Sequence, residues 1–408
     1  MKKKLLFVME SLSIGGAEKS LITLLSNLDY SKYDVDLFLF YQKGEFLELL
    51  PKKVDLIEVP ENFKIFLKNP KESVNELVKK RKFKLLMIKV LEMLNLVINK
   101  FILKKEYIGW NYITKSIKLF PKEYDVAIGF LEKKSIYFTV DKINAKKKLG
   151  WIHTDYKKIE FDFNLDNKYL NKLDKIVAVS ESCKKSLINT FPNIEDRICV
   201  IPNMISNKLI EKLASEKITD FNFVQDKAII CTVGRLTKAK GYDIAIQCCE
   251  ELLKRNLNFK WIIIGDGYER ENIEKIINEK NLKENFILLG GKDNPYPYIK
   301  SCDIYVQPSK WEGFGITVLE AKVLNKPIVV SNIPEFIEQI ENNKTGLVCS
   351  DMNDMINKIK ELILSNELRQ ELSNNLKNED MNNNYELEKF EKILVDKNEE
   401  IKKIEELV

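Results

Sequence analysis

Short apolar runs bounded by turn residues alternate, along nearly the whole chain, with stretches whose apolar positions recur every three or four residues. Strand-length runs interleaved with helical periods predict βαβ units and therefore parallel sheets. In the first half, strands are expected at 4–9, 35–40, 126–130, 148–153, 175–179 and 199–201. In the second they are expected at 228–233, 260–264, 286–289, 304–307, 327–330 and 346–348. The pattern predicts an α/β protein with two separate, Rossmann-like doubly wound sheets. One domain spans 1–205 and the other 206–380, the chain passing between them through the polar stretch 206–226. The tail, 381–408, returns to a helical period through Tyr385, Leu387, Phe390, Leu394, Ile401, Ile404 and Leu407, and is expected to pack back on the body.

An insertion at 62–120 interrupts the alternation. Within 83–103 the polar residues Lys84, Lys89, Glu92, Asn95, Asn99 and Lys100 all fall within an arc of about 160° at 100° per residue. Charges along this amphipathic helix argue against a membrane span. Lys79, Lys80, Arg81 and Lys82 before it, with Lys104 and Lys105 after it, suit a helix lying in a lipid interface. A helix packed on its own domain with its lysines in water fits the same pattern.

With 408 residues, 45% hydrophobic and 31% charged, the chain has the length and composition of two ordinary globular domains. The start, MKKKLLFVME, has too short an apolar run for a signal peptide and reads as a first strand. The Cys count is odd, 7 in all, and Cys183, Cys199, Cys231, Cys248, Cys249, Cys302 and Cys349 lack Cys-x-x-Cys spacing. This argues for a reducing cytosol and against zinc or a disulfide framework. The single histidine, His153, excludes imidazole-rich metal sites. Net charge is +5 but uneven: residues 1–205 carry 37 Lys+Arg against 26 Asp+Glu, while 206–408 carry 29 against 35. The basic first half is expected to face something anionic, a membrane surface or phosphate-bearing acceptor rather than nucleic acid, since no recognition motif accompanies the charge.

Candidate chemistry gathers where strands give way to helices. Pro308-Ser-Lys-Trp-Glu-Gly-Phe-Gly-Ile-Thr-Val-Leu-Glu-Ala321 follows an expected strand and opens a helical run, so its N–H groups favour an anion. Glu312 and Glu320, eight residues apart, would be roughly 12 Å apart on a continuous helix. That excludes a close acid/base pair and suits a grip on two ends of an extended ligand, with phosphates on Gly313, Phe314, Gly315 and Ile316 between them. A capped surface helix with two ordinary glutamates fits the spacing equally. In Val233-Gly-Arg-Leu-Thr-Lys-Ala-Lys-Gly241, Arg235 offers a planar fork for phosphate oxygens and Lys240 a point charge, together able to offset about two negative charges. Ile264-Gly-Asp-Gly-Tyr-Glu269 lacks the third glycine of a dinucleotide fingerprint, which weakens an NAD reading. Gly15 and Gly16 join the first strand to a helix and permit close approach to a ligand. His153 ends an expected strand, and Asp155 beside it steers the ring or caps the next helix. Asp34-Val-Asp36 imitates a metal motif but precedes its apolar run, at the wrong end of the strand.

The segment Ser-x-x-Glu-Gly-Phe-Gly-x-x-x-x-Glu-Ala, with Asn325-Lys-Pro-Ile-Val-Val330 and Asn343-Lys-Thr-Gly-Leu347 after it, resembles the signature of the retaining GT-B glycosyltransferases of family four. The resemblance runs from Gly15 to about residue 350. Asn325 stands where that family has glycine, and Met204 begins a replacement of the family's glycine and aspartate after Asn203. The resemblance implies two domains facing across a cleft, the first binding acceptor and the second a nucleotide-diphosphate sugar, a UDP-sugar rather than a GDP-sugar. It implies Arg235 and Lys240 on the donor diphosphate, Glu312 on the sugar and Glu320 on the ribose. It also places Gly265 beneath the base, Gly16 against donor phosphate or acceptor, and His153 against donor sugar. The expected activity is sugar transfer with retention to a glycan or lipid-linked acceptor in cell-surface polysaccharide or glycoconjugate synthesis. No cofactor and no metal are expected, and the expected location is cytoplasmic, peripheral on the inner face of the membrane. The rival readings are a sugar-nucleotide 2-epimerase of the same fold, a non-catalytic glycosyltransferase-like subunit, and a membrane-binding structural protein.

Overall fold

The apolar run after Lys4 forms β1 (Lys3–Met9), whose last five residues are all buried. A strand apolar on both faces is what a central position in a parallel sheet requires. The computed structural model describes residues 2–99, 109–223 and 227–395 and divides into two units. One comprises the described residues up to Met204 together with those from Asn384, the other Ile205–Asn383.

In the first unit, β1, β2 (Tyr33–Leu39), β3 (Val54–Ile57), β4 (Glu123–Gly129), β5 (Asn144–Ile152), β6 (Lys175–Ala178) and β7 (Ile198–Val200) make a parallel sheet of order β3-β2-β1-β4-β5-β6-β7. The second sheet has order β10-β9-β8-β11-β12-β13. It is built from β8 (Ala228–Val233), β9 (Phe259–Ile264), β10 (Phe286–Leu288), β11 (Ile304–Gln307), β12 (Ile328–Ser331) and β13 (Leu347–Cys349), again parallel. Both sheets reverse direction of growth once, between β1 and β4 and between β8 and β11. Chains leaving adjacent strands to opposite sides open a crevice there at the carboxyl ends, the usual ligand position in such sheets.

The strand pattern expected from sequence is present, with one addition. Strand β3 is a four-residue edge strand with Asp55 and Leu56 exposed, so it shows neither an apolar run nor clean alternation. Between β1 and β2 runs α1 (Gly16–Asn27), its inner face formed by Leu21, Ile22, Leu24 and Leu25. In the second unit the sheet buries Trp261, whose indole N–H donates to Thr232 Oγ1 at 2.9 Å. Thr232 in turn donates to the Val306 carbonyl at 2.6 Å, so the indole N–H and the threonine hydroxyl beside it are both satisfied.

The tail helix Asn384–Leu394 belongs to the first unit. Phe390 and Leu394 are buried, and the Phe390 ring lies 6.1 Å from that of Phe7 and 5.9 Å from that of Trp151. Lys3 and Lys147 donate to the carbonyls of Leu394 and Val395, satisfying the helix end. Ile401, Ile404 and Leu407 lie outside the described residues.

The insertion supplies α2 (Glu61–Leu67), α3 (Pro70–Lys79) and α4 (Phe83–Val97). Asn69 caps α3, accepting from the Glu72 N–H, with Pro70 in the first turn. The orientation of α4 differs from a helix packed by its apolar face with lysines in water. Lys89 and Glu92, two of the polar residues, are buried against α2 and α3 and pair at 2.7 Å, and Lys89 also donates to the Phe66 carbonyl. Asn95 donates to Tyr112 Oη. Phe83, Met87, Leu91 and Leu94 face outward. Lys100 lies outside the described residues.

Candidate active site

At the β8/β11 reversal, two loops lean on one another. After β8 the chain passes through Gly234 and Arg235, makes a short turn at Lys238–Lys240, and enters the helix Tyr242–Lys254 through Gly241. Gly241 has φ +67°, and a Cβ there would lie 1.9 Å from the Pro308 carbonyl oxygen of the loop after β11. Only glycine permits that approach. The Lys310 N–H donates to the Ala239 carbonyl at 2.7 Å, locking the loops together.

This contact sets the charges. Lys240 Nζ reaches both carboxylate oxygens of Glu312 at 2.6 Å, and both side chains are largely buried. Ser309 Oγ donates to Glu312 Oε1 at 2.7 Å and is itself supported by Gln307, which is held by Tyr305. Arg235 is exposed, with no carboxylate on its guanidinium among the described residues. The expectation that two cations wait to offset two charges is therefore modified. One of them is already offset by Glu312, and the trio carries a net charge of about +1. Glu312 also raises the pKa of Tyr242, after the larger effect of burial, and the Tyr242 hydroxyl donates to the Gly234 carbonyl at 2.6 Å.

Gly265 follows β9 with φ +153°, and a Cβ there would meet the Gly234 carbonyl oxygen at 1.9 Å, which brings a third loop against the arginine-bearing one. Gly313, Phe314 and Gly315 lead into the helix Ile316–Val323, with Gly315 at its N-cap in the left-handed region, φ +84°. Gln339 donates to the Phe314 carbonyl and fixes that entrance. Glu312 thus sits on the loop before the helix and not on the helix itself. Glu320 lies one turn inside it, fully buried, accepting from Tyr296 Oη at 3.0 Å, and burial with this carboxylate holds the Tyr296 hydroxyl well above its usual pKa.

The first unit presents a different edge. Gly15, extended at φ −168°, caps α1, and Gly16 is its first residue. A Cβ on Gly15 would meet Glu18 Oε2 at 2.1 Å, so this pair gives space to a returning glutamate rather than a left-handed turn. His153 follows β5, its backbone N–H donating to Glu132 Oε2 at 3.1 Å and its ring 5.2 Å from that of Phe130. Its buried ring nitrogens lie beside Asn203 and the Phe130 backbone without reaching hydrogen-bond geometry. Burial lowers its pKa to about 3, so the ring is neutral in ordinary buffers. Asp155 caps the turn Tyr156–Lys158 and accepts from Ser186 Oγ, which is capping rather than steering of the histidine. Asp36 is committed to Tyr124 Oη at 2.6 Å and Lys122 Nζ at 2.7 Å, consistent with setting aside Asp34 and Asp36 as a metal motif.

Glu132 escaped the sequence reading. It follows β4 at the reversal point, its pKa raised by burial, beside Lys133 whose φ of +64° is unusual for a side-chain-bearing residue. Its position just past an expected strand was the available signal, hidden among the charges of Leu-Glu-Lys-Lys. Tyr296 was missed because its partner Glu320 lies 24 residues on, and Ser309, three residues before Glu312, entered only as a letter of the motif.

Residues 214–379 match the family model described as Glycosyl transferases group 1. The O-antigen biosynthesis glycosyltransferase WclY of Escherichia coli is 32% identical over 175 residues, 40% of this chain and 45% of that protein. A Campylobacter jejuni protein, N-acetylgalactosamine-N,N'-diacetylbacillosaminyl-diphospho-undecaprenol 4-alpha-N-acetylgalactosaminyltransferase, is 26% identical over 385 residues, 92% of this chain and 94% of that one. In several matches the chain spans about half the length of the curated relative. Anabaena Alr3699/HepE, solved in complex with UDP and glucose, superposes with TM-score 0.65 at 16% identity over 96% of this chain and 99% of that one. At that identity the likeness concerns the fold, two parallel α/β sheets as in GT-B glycosyltransferases. Residues 214–379, which contain Arg235, Lys240, Glu312 and Glu320, thus carry the sequence pattern of the group 1 glycosyltransferases.

Proposed function

We propose that the protein transfers a sugar, with retention of anomeric configuration, from a nucleotide-diphosphate sugar to a glycan or lipid-linked acceptor used in cell-surface polysaccharide or glycoconjugate synthesis. The donor is a UDP-sugar rather than a GDP-sugar, in keeping with the UDP in the Anabaena structure. A lipid diphosphate acceptor at the inner face of a membrane accords with the undecaprenol-linked substrate in the name of the Campylobacter relative. The observation that carries the reading is the contact of Lys240 with Glu312 at 2.6 Å, in the same loop cluster as the uncompensated Arg235.

Breaking the anomeric carbon–oxygen bond builds negative charge on the departing diphosphate. Fixed cations and helix N–H groups aimed at that charge lower the barrier. Arg235 is the fork available to the distal phosphate, and the N–H groups of Gly313, Phe314, Gly315 and Ile316 are the helix-entrance donors. As the diphosphate competes for Lys240, the Glu312 carboxylate is released to accept from a sugar hydroxyl. Glu320, buried on Tyr296, is the candidate for the ribose hydroxyls, and Gly265 lies under the base. In the first unit the neutral ring of His153, steadied through its backbone by Glu132, offers a hydrogen bond without adding charge, and Gly16 leaves room for phosphate or acceptor. These protein cations take the role that a divalent metal plays in other transferases, and no cofactor is required.

Incubation with radiolabelled UDP- and GDP-sugars and a bacterial lipid extract, with and without EDTA, tests the proposal. The expected result is label moved from a UDP-sugar into the lipid fraction, unaffected by EDTA. Epimerised donor without transfer, or no consumption of any donor, contradicts it.

A further inference from the structure

Helix α4 is built the wrong way round for a helix in water. Its charged pair, Lys89 and Glu92, is buried at 2.7 Å against α2 and α3, while every exposed position after Lys84 is apolar. Phe83, Met87, Leu91, Leu94, Val97 and Ile98 stand in solvent, Phe83, Met87 and Leu94 by more than half of their surface. About half a turn of rotation would bury leucines and return both charges to water, which is the ordinary solution for an amphipathic helix. The pair instead holds the helix with its apolar side outward: Lys89 is fastened by the Phe66 carbonyl as well as by Glu92, and removing either partner would leave a buried charge. A contiguous apolar patch of this kind marks a surface that another phase or molecule covers.

We infer that this face of α4 rests in the headgroup boundary of an anionic lipid bilayer. The charges around it favour that occupant. Lys79, Arg81 and Lys84 rim the start of the helix, exposed and without an acidic partner among the described residues, whereas Lys80 and Lys82 are neutralised by Glu61 and Glu76. Arg81, Lys82 and Lys84 also line an open hollow of about 490 Å³ beside Phe83, where a phosphate headgroup meets cations next to the apolar side chains. A twofold pairing with a second copy would set the same surface against itself. The face of α4 itself exposes no carboxylate to receive the cations, since its one acid, Glu92, is buried, and Glu61 beside it is already paired with Lys80 and Lys82. Among the described residues α4 is fifteen residues long, about 22 Å against about 30 Å of hydrocarbon, which is too short to span. No helix among the described residues is long and apolar enough to cross. The inference rests on the membrane-side acceptor proposed above and names the element and the lipid chemistry that bring the protein there.

The test is flotation of the full chain with vesicles of phosphatidylcholine alone and of phosphatidylcholine with phosphatidylglycerol. Wild type should float with the anionic vesicles. Met87→Glu with Leu94→Glu, both at exposed positions, should lower partitioning on the order of a hundredfold. Arg81→Glu with Lys84→Glu should lower it roughly tenfold on anionic vesicles only. Failure of wild type to float, equal flotation of the Met87/Leu94 variant, or a dimer in ultracentrifugation that this variant dissolves each overturns the inference. UDP binding by calorimetry on the same preparations reports separately on the transferase reading. Binding without flotation discards the docking surface alone, and flotation without binding discards the transferase alone.

Discussion

The two sheets share a topology but differ in what they place at the point of reversal. Between β8 and β11 stand an exposed arginine and a lysine–glutamate pair, while between β1 and β4 and on to β5 stand a histidine kept neutral and a glutamate whose pKa is raised, both by burial. The same crevice is made electrostatically active in one unit and quiet in the other. The difference follows from packing. In the second unit the loops leave room for Lys240 and Glu312 to satisfy one another, with Ser309 in support. In the first, Phe130 and Trp151 crowd the histidine and remove water from it. A reaction that releases a diphosphate needs fixed charge at its leaving group, which the second unit carries and the first does not.

The largest effect that would sharpen this contrast is expected at Lys240. Lys240→Ala removes a cation from the leaving group and leaves Glu312 nearly buried without its partner, so kcat should fall by about 10² to 10³, read in steady-state donor turnover. A drop under about threefold would make the pair structural. Gly265→Ala comes next: the added Cβ collides with the Gly234 carbonyl in a backbone conformation that alanine avoids. A stability loss of about 2–3 kcal/mol is expected in denaturant unfolding of the second unit, accompanied by weaker nucleotide binding.

Arg235→Ala should be milder because the side chain is exposed and supports nothing else. About tenfold weaker UDP binding by calorimetry with an unchanged Tm is expected, and Arg235→Lys should recover part of it, the part that charge without the planar fork supplies.

The smallest effect concerns pH and the first unit. His153 titrates near pH 3 when folded and near 6.5 when unfolded, so between those values the unfolded chain binds the extra proton. Its contribution to stability is therefore present above about pH 6.5 and is lost as pH falls toward 3, by up to about 1.4 kcal/mol per pH unit. Glu132 has the opposite sign, because its raised pKa gives stability that is lost as pH rises above 4.5. His153→Asn should flatten the acid side of the stability profile and Glu132→Gln the neutral side. Unaltered profiles would mean that this edge is wetter than its packing implies.

Much of this was legible in the order of residues. Strands such as Ala228–Val233 and Ile304–Gln307 announce themselves as apolar runs with a glycine or proline just beyond, and the turn that follows each carries candidate site residues. Strand β3 was not legible, because Val-Asp-Leu-Ile at an edge buries only its first residue. Periodicity showed that α4 is two-faced but gave no means of deciding which face turns inward. That is settled by Phe66 and Leu77 on other helices and by a carbonyl that receives Lys89. The pairing of Lys240 with Glu312 joins residues 72 apart, and no spacing rule reaches so far. It emerges only when β8 and β11 lie side by side, although both residues had been singled out one at a time.

In the proposed mechanism a diphosphate is held at the second sheet by Arg235 together with the lysine that Glu312 gives up. Comparing UDP with UMP by calorimetry, in wild type and in Arg235→Ala with Lys240→Ala, isolates the second phosphate from base and ribose. Wild type is expected to prefer UDP by on the order of a hundredfold, and the double variant to lose this preference while still binding UMP. The same preference in both proteins would contradict it.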